Sequence, residues 1–356
     1  MRTVVVGATG NAGTALLRAL ARDRPNDSVV GVARRPPETE SPFPTKEWVS
    51  LDVTAADAAD RLRAVMRDAD AVVHLAIAFQ PMRDRDYLRA VNVDAVRTVA
   101  TACADAGVPH LVHMSSGGVY APGSYGEKVD ESWPRTGVSS STYSMDKAAA
   151  EDVLDEFEAA HPDVAVARIR PGLIGQYEFG SALLRYALPD LVPSAIVDHP
   201  PILPIDRSFA VPAAHSDDVA DAIVRVLDRR ATGPYNLGGP TPVRAHDVAD
   251  AFGARIVPVP SRVLSAAARL GFETHVSAVH HGWVDLAFAT PMLNTDRARR
   301  DLDWTPRIDG PDVVREVIRG MRDNAGASTT SLRSRTAKDR LRAFGRRGFI
   351  SRAKRP

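Results

Sequence analysis

With 356 residues and 44% apolar side chains, the chain is long enough for one large domain, or two unequal ones, around a sizeable core. No apolar run reaches the roughly 18–20 residues of a membrane span, and Met1-Arg2-Thr3 leads directly into a strand, so a cytoplasmic protein without signal peptide or spanning segment is expected. The net charge of +1 gives no chain-wide attraction to nucleic acid, and the lone Cys103, among small helical residues, excludes an internal disulfide and a cysteine-based metal centre and reads as core filling; no metal is expected.

Thr3 to Val6 is a short β-branched run, followed by Gly7-Ala8-Thr9-Gly10-Asn11-Ala12-Gly13, a helix through Leu16, Leu17 and Leu20, and a second strand, Val29 to Ala33. In this βαβ unit, three glycines two residues apart permit a tight turn, close approach of the backbone to a pyrophosphate, and close packing of helix on strand. Gly7, Thr9, Gly10, Asn11, Ala12 and Gly13 are therefore candidate dinucleotide-binding residues, with the phosphates at the helix N-terminus. The second strand ends in Val32-Ala33-Arg34-Arg35-Pro36, with no acid for a ribose 2′-hydroxyl. Arg34, with Arg35 beside it, favours NADP over NAD.

Further strands are expected at Trp48 to Leu51, Ala71 to Leu75, His110 to Ser115 and Val164 to Ile169, separated by Ala-, Leu- and Arg-rich helical stretches. The alternation predicts an α/β fold, a Rossmann-type doubly wound parallel sheet with its ligand at the carboxyl ends of the strands. Asp52-Val53, ending the third strand, is placed to meet the adenine edge.

Tyr143 and Lys147 are four apart on a helix starting near Ser141, so they share one face. An ammonium beside a phenol stabilises the phenolate and lowers its pKa from near 10, which lets Tyr143 exchange a proton with a substrate oxygen. Ser116, at the exit of the strand His110 to Ser115, supplies a hydroxyl to the same oxygen, and Lys147 also reaches the nicotinamide ribose. Ser116, Tyr143 and Lys147 are the candidate catalytic residues.

Residues 1–172 are expected to form the dinucleotide-binding domain, with later segments returning to it. After Pro171 prolines become frequent, and shorter helices are expected at Asp217 to Leu227, Ala245 to Phe252 and Gly310 to Arg322, so residues 173–324 read as a smaller substrate-binding lobe with C-terminal helices. The apolar runs Ala182 to Leu191 and Val263 to Leu270 suggest a greasy pocket there. Residues 325–356 carry ten Lys and Arg against Asp339 alone, a net +9 against −8 over the first 324, and read as a disordered basic tail. Its Leu341, Phe344, Phe349 and Ile350 give it a secondary reading as a weak contact for anionic lipid or nucleic acid. His74 reads as a satisfied, half-buried histidine, Ser216 with Asp217 and Asp218 as a helix N-cap, Tyr125 and Trp133 as residues of a loop over the pocket, and His280-His281 equally as pocket lining or as surface.

Gly-x-x-Gly-x-x-Gly, Asp52-Val53, Val73-His74-Leu75-Ala76, Asn92-Val93, Ser115-Ser116-Gly117-Gly118-Val119-Tyr120, Tyr143-x-x-x-Lys147 and Arg170-Pro171-Gly172 together resemble the extended short-chain dehydrogenase/reductases, the NAD-dependent epimerase/dehydratase group. His215 to Ala220, Tyr235-Asn236-Leu237-Gly238 and Ala298 to Trp304 extend the resemblance to about residue 322. It implies that Ser116, Tyr143 and Lys147 are the catalytic triad, that Leu75, Ala76 and Asn92 contact the cofactor, and that Pro171 lies near the nicotinamide. It also implies a homodimer through the helices Tyr87 to Ala106 and Ser141 to Ala160. Two departures narrow the chemistry. Gly117-Gly118 stand where sugar 4,6-dehydratases of the group carry an Asp-Glu pair, and the only cysteine lies in the wrong helix for epimerase-reductases that need a Cys and a His.

The expected function is hydride transfer between nicotinamide and a carbonyl or secondary alcohol of a small or sugar-like molecule, with Tyr143 handling the proton. A nucleotide-sugar 4-epimerase is the nearest alternative. A non-catalytic NADP(H)-sensing regulator is the alternative from another class.

Overall fold

The computed structural model describes residues 1–37, 47–79, 82–124, 126–187, 199–275, 277, 279–334 and 336. Valine-rich runs at the start of the chain are buried in consecutive residues rather than alternately, the pattern of strands covered on both faces. They form β1 (Arg2–Val6), β2 (Ser28–Ala33) and β4 (Ala71–His74), joined in one parallel sheet by the more exposed edge strand β3 (Glu47–Ser50) and by β5 (His110–Met114), β6 (Ala165–Pro171) and β7 (Gly233–Leu237). The order β7-β6-β5-β4-β1-β2-β3 is doubly wound, and its direction reverses between β1 and β4. A crevice opens at such a reversal, outside the carboxyl ends of the strands.

Six strands lie where the sequence pattern places them, within one or two residues. The seventh is new: Gly-Pro-Tyr-Asn-Leu has little strand propensity, and it is a strand because Gly233 to Leu237 pair in register with Ala167 to Pro171.

Helices cover both faces. On one side α1 (Asn11–Asp23) packs on the helix Ser216–Arg229, and Leu16, Leu17, Leu20, Ile223 and the fully buried Trp304 form the core. Trp304 Nε1 donates to the Asp218 carbonyl. On the other side Leu62 and Met66 of α2 (Ala58–Met66) meet Val96, Val99 and Cys103 of the helix Ala95–Asp105, and Leu154 and Phe157 of the helix Thr142–Ala160. Burial pushes the Cys103 thiol up to about 12, which makes it inert filling.

The helix expected from Tyr87 to Ala106 is built in three pieces: α3 (Arg85–Arg89), a π turn at Ala90–Asp94, and α4 (Ala95–Asp105). The π turn turns Asn92 inward, where its side chain amide clamps the backbone N–H and C=O of Ala78 at 2.9 and 3.0 Å. The catalytic-candidate helix, α5 (Thr142–Ala160), starts at Ser141, whose Oγ accepts from the Ser144 amide.

After β6 the chain forms α6 (Gly180–Ala187), α7 (Ser216–Arg229), α8 (Ala245–Phe252), α9 (Ser261–Glu273), α10 (Gly282–Ala289), α11 (Asp296–Leu302) and α12 (Gly310–Arg322) with several two-strand pairs. α7 is not capped by Ser216 as expected. His215 Nδ1 accepts from the Asp217 amide instead, while Ser216 Oγ bonds Gly175 O and Asn11 Oδ1. Asp218 accepts from the amides of Arg307 and Ile308, a tertiary tie rather than a cap.

Ala182 and Leu184 pack in the core, residues 188–191 of that run lie outside the described residues, and Val263 and Leu270 of α9 point outward at 49% and 63% exposure. Among the described residues no helix is long and apolar enough to cross a membrane.

The boundary at residue 325 also needs correcting. The segment 325–334 is folded, with Ala325, Thr329 and Leu332 buried, because hydrogen bonds to distant residues supply what its polar composition does not. The rest of the basic stretch, apart from Thr336, lies outside the described residues, as do Leu341, Phe344, Phe349 and Ile350.

Candidate active site

The glycine turn closes the crevice between β1 and β4. Gly7 has φ +90°, open to glycine at little cost, and a Cβ there would sit 2.5 Å from the Ala76 nitrogen. A Cβ on Gly13 would sit 2.5 Å from the Gly7 oxygen, whereas Gly10, which caps α1, has nothing nearer than 3.4 Å. The bare turn and the free first amides of α1 make a cradle that side chains would fill, and it fits a pyrophosphate. Asn11 offers only its backbone to such an anion, because its side chain donates to Ile174 O and accepts from Gln176 Nε2 and Ser216 Oγ. Ala12 packs partly on the core, and Thr9 is 6% exposed.

The other cofactor candidates line the same edge. The Leu75 amide donates to Val6 O, Ala76 lies under Gly7, and Pro171 ends β6, with the following Gly172 amide bonded to Leu237 O. Arg34 Nη1 donates to the hydroxyl of the buried Tyr87 at 2.6 Å, and Asp52 accepts from the Thr54 amide and hydroxyl in a local turn. Val53 packs against the Ala78, Tyr87, Leu88 and Val91 cluster. Asn92 acts on the loop after β4 through its clamp on Ala78.

Ser116 and Tyr143 come together beside Gly118. A Cβ on Gly118 would lie 3.3 Å from Ser116 Oγ and 3.4 Å from Tyr143 Cε1, and one on Gly117 would lie 3.1 Å from Leu293. A carboxylate side chain has no room at either position without moving these groups. Burial pushes the Tyr143 phenol pKa upward, and a hydrogen bond with Ser116 opposes the rise. Lys147 is one helical turn on, 3% exposed, and its Nζ donates to Met114 O at 2.6 Å. Burial brings Lys147 down to about 8, partly offset by Glu151 and Asp146. The expected lowering of the phenol by the ammonium is thus not the dominant effect, because burial of Tyr143 outweighs it and Lys147 faces the end of β5.

Three residues that sequence reasoning did not assign hold this geometry. Ser144 Oγ donates to Gly118 O and accepts from the Val138 amide, clipping α5 to the turn after Ser116. Glu151, fully buried, receives Ser115 Oγ and both Arg170 Nε and Nη2, and Arg170 Nη1 also reaches the Tyr120 hydroxyl. Glu151 is the third member of the 143–147–151 series along one helix face, and that spacing was the available signal.

His74 departs from its expected role. It is 1% exposed, its Nδ1 lies 3.2 Å from that of His113, and neither Nε2 has a partner among the described residues. Burial and the nearby Lys147 charge hold His74 at about 3 and His113 well below the usual range, so both rings are neutral.

Aromatic rings close the other side. Trp283 and Phe79 both stack on Tyr143, at 4.9 and 5.8 Å, and Leu286 follows on α10. His280, near Phe272 and His281, accepts from the Gly282 amide and so shapes the start of α10. Trp133 packs instead with Val119, Tyr120, Val129 and Leu293 and donates to Ala121 O, which gives it a core role; Tyr125 lies outside the described residues.

A sequence model of the NAD dependent epimerase/dehydratase family matches residues 3–238. The chain belongs to that family. No curated protein matches it in sequence. Among solved structures it is similar to MoeE5 in complex with UDP-glucuronic acid and NAD, with 19% identity and a TM-score of 0.67 over 91% of this chain and 99% of that one. DesIV, a dTDP-glucose 4,6-dehydratase from Streptomyces venezuelae with NAD and TYD bound, gives 21%, 0.66, 91% and 98%. UDP-glucuronic acid 4-epimerase from Bacillus cereus in complex with NAD gives 15%, 0.65, 91% and 99%. The part of this epimerase/dehydratase-family chain that the family model matches ends at Gly238, directly after β7. It holds the whole sheet, while Trp283, Leu286 and the folded segment 325–334 lie beyond it.

Proposed function

We propose that the protein is a nicotinamide-dinucleotide-dependent oxidoreductase acting on a carbonyl or secondary alcohol of a small or sugar-like molecule. The observation that carries this reading is the placement of Ser116 and Tyr143 around one glycine-sized gap at the carboxyl edge of the sheet, beside the bare glycine cradle. When bound, the nicotinamide would donate or accept the hydride. Tyr143, kept protonated by burial, gives a proton to the substrate oxygen in the reducing direction. Ser116 donates a hydrogen bond to the same oxygen, and Lys147 places a positive charge one turn away. Gly7, Thr9, Gly10, Asn11, Ala12 and Gly13 would hold the pyrophosphate, and Leu75, Ala76, Asn92 and Pro171 would border the nicotinamide half.

The test is turnover of NADH or NADPH by the purified protein against a panel of ketones, aldehydes and nucleotide-linked keto sugars. Cofactor oxidation with at least one carbonyl supports the reading; binding without turnover across the panel favours an NADP(H)-sensing regulator. A nucleotide-sugar 4-epimerase is the second reading, supported by the 4-epimerase among the similar structures. Such an enzyme keeps oxidised dinucleotide bound through purification, whereas a reductase exchanges it.

NADP(H) is the dinucleotide this reading favours, since β2 ends without an acid and Arg34 and Arg35 follow it. The hydrogen bond from Arg34 Nη1 to the Tyr87 hydroxyl holds the guanidinium near that edge. Arg34→Ala is expected to weaken NADPH binding about tenfold and NADH binding less than about twofold, read by fluorescence titration. Equal losses for both would leave Arg34 with no part in cofactor choice. The same reading includes Asp52 and Val53 at the adenine side, a homodimer through the helices spanning 85–105 and 142–160, a small-molecule partner and a cytoplasmic location.

A further inference from the structure

The segment after α12 turns back across the molecule to the glycine turn, 320 residues away in sequence. Thr329 Oγ1 donates to the Thr9 carbonyl at 2.9 Å, and Ser331 Oγ lies 3.4 Å from Thr9 Oγ1. The segment is a built turn: the Leu332 amide donates to Thr329 O, and the Ala327 amide donates to Leu332 O at 2.9 Å. A side chain on Gly326 would overlap the Leu332 carbonyl. Its base is pinned to α6, since the Ser181 amide donates to Ala325 O and Ser181 Oγ to Asn324. Thr329 and Leu332 are each 1% exposed, and Ala327 packs on the core shared by α1 and α7.

We propose that residues 325–334 are a C-terminal strap that forms part of the dinucleotide site. The inference rests on the cofactor reading above. A peptide plane is rigid, so holding the Thr9 carbonyl also sets the direction of the Gly10 amide, which is bonded to Gly7 O at 3.1 Å. The strap thereby fixes the turn that aims the first amides of α1 at a pyrophosphate, and the binding energy is not used to order that turn. The hydroxyls of Thr9 and Ser331 lie together beside the cradle, and Arg333 follows the buried Leu332 directly. The strap lies wholly beyond the family match, so it is a feature of this chain that the family model does not describe.

The test compares the full chain with chains ending at Ser334 and at Asn324, and with full-length Thr329→Val/Ser331→Ala. NADPH and NADH affinities and release rates are followed by fluorescence, and thermal unfolding without ligand is recorded alongside. The Ser334 chain is expected to bind as the full chain does. The Asn324 chain is expected to bind about tenfold more weakly with faster release, and the double variant several-fold more weakly with a lowered melting temperature but a cooperative transition. Unchanged affinity and release in the Asn324 chain and the double variant overturn the strap while leaving the cofactor reading intact. Tighter binding after truncation also overturns it, since the segment would then be a cover that must open. If the full chain itself binds neither dinucleotide, the cofactor reading fails first and the strap with it.

Discussion

Tyr143→Phe is expected to lower kcat by about 10²–10⁴-fold while leaving dinucleotide affinity within about twofold. The substitution removes one oxygen from a ring whose stacking on Trp283 and Phe79 does not depend on it, so the fold and the cradle are untouched. What is lost is the phenol that lies beside Gly118 with Ser116. Ser116→Ala removes a positioning hydrogen bond rather than the proton carrier, so its loss is smaller and falls on kcat as well. The pH profile adds a second check. Lys147 has a folded-state pKa of about 8, below its ordinary 10.5 because burial disfavours the ammonium. Its charge therefore opposes folding below about pH 8, and that opposition fades between about pH 8 and 10.5. Activity that uses the ammonium falls as pH rises through about 8. A Tyr143→Phe protein with near-normal kcat, or a flat profile through pH 9, would remove this proton-transfer scheme.

Glu151→Ala is expected to cost about 3–5 kcal/mol of stability, the loss typical of breaking a buried ion pair from one side. Arg170 would remain 2% exposed with its charge facing an emptied site, and Arg168 and Arg135, which also approach Glu151, would lose the same partner. Chemical denaturation reads the loss, and Glu151→Gln, which keeps one acceptor oxygen, should lose less. Burial raises the Glu151 pKa, but its bonds to Arg170 and Ser115 and the charge of Arg168 outweigh that and hold it below the usual carboxylate value. The stabilisation is then present above about pH 4.5 and is lost as pH falls through the lower folded-state value, so the variant and the parent should converge in acid. Because Glu151 ties Ser115 to the helix that carries Tyr143, kcat should fall in Glu151→Gln even where the protein remains folded. A variant as stable as the parent at pH 7 would refute the pinning role.

The signals that travel within ten residues were legible in the sequence: β-branched runs, glycines at fixed spacing, and Tyr143 with Lys147 on one helical face. Those features depend on local geometry. What could not be read depends on partners far along the chain. β7 is a strand because β6 offers it an edge, and the 325–334 turn is ordered because Thr9 accepts its hydroxyl. The Ser144 clip and the Glu151–Arg170 pair join segments that composition does not relate. His215 displaced Ser216 as the cap of α7 because Asn11 and Gly175 claimed the serine hydroxyl, a competition decided by packing.

The way β7 enters the sheet fixes what can be cut from this molecule. The chain leaves the central sheet after Pro171, builds α6 and several short strands, and comes back through α7 to lay Gly233–Leu237 along β6. A fragment stopped at Gly172 would leave β6 as a bare edge with unpaired backbone groups and strip α7 from α1, an invitation to aggregate. The first 172 residues and the return through α7 are sewn together, and the sheet is whole only with both.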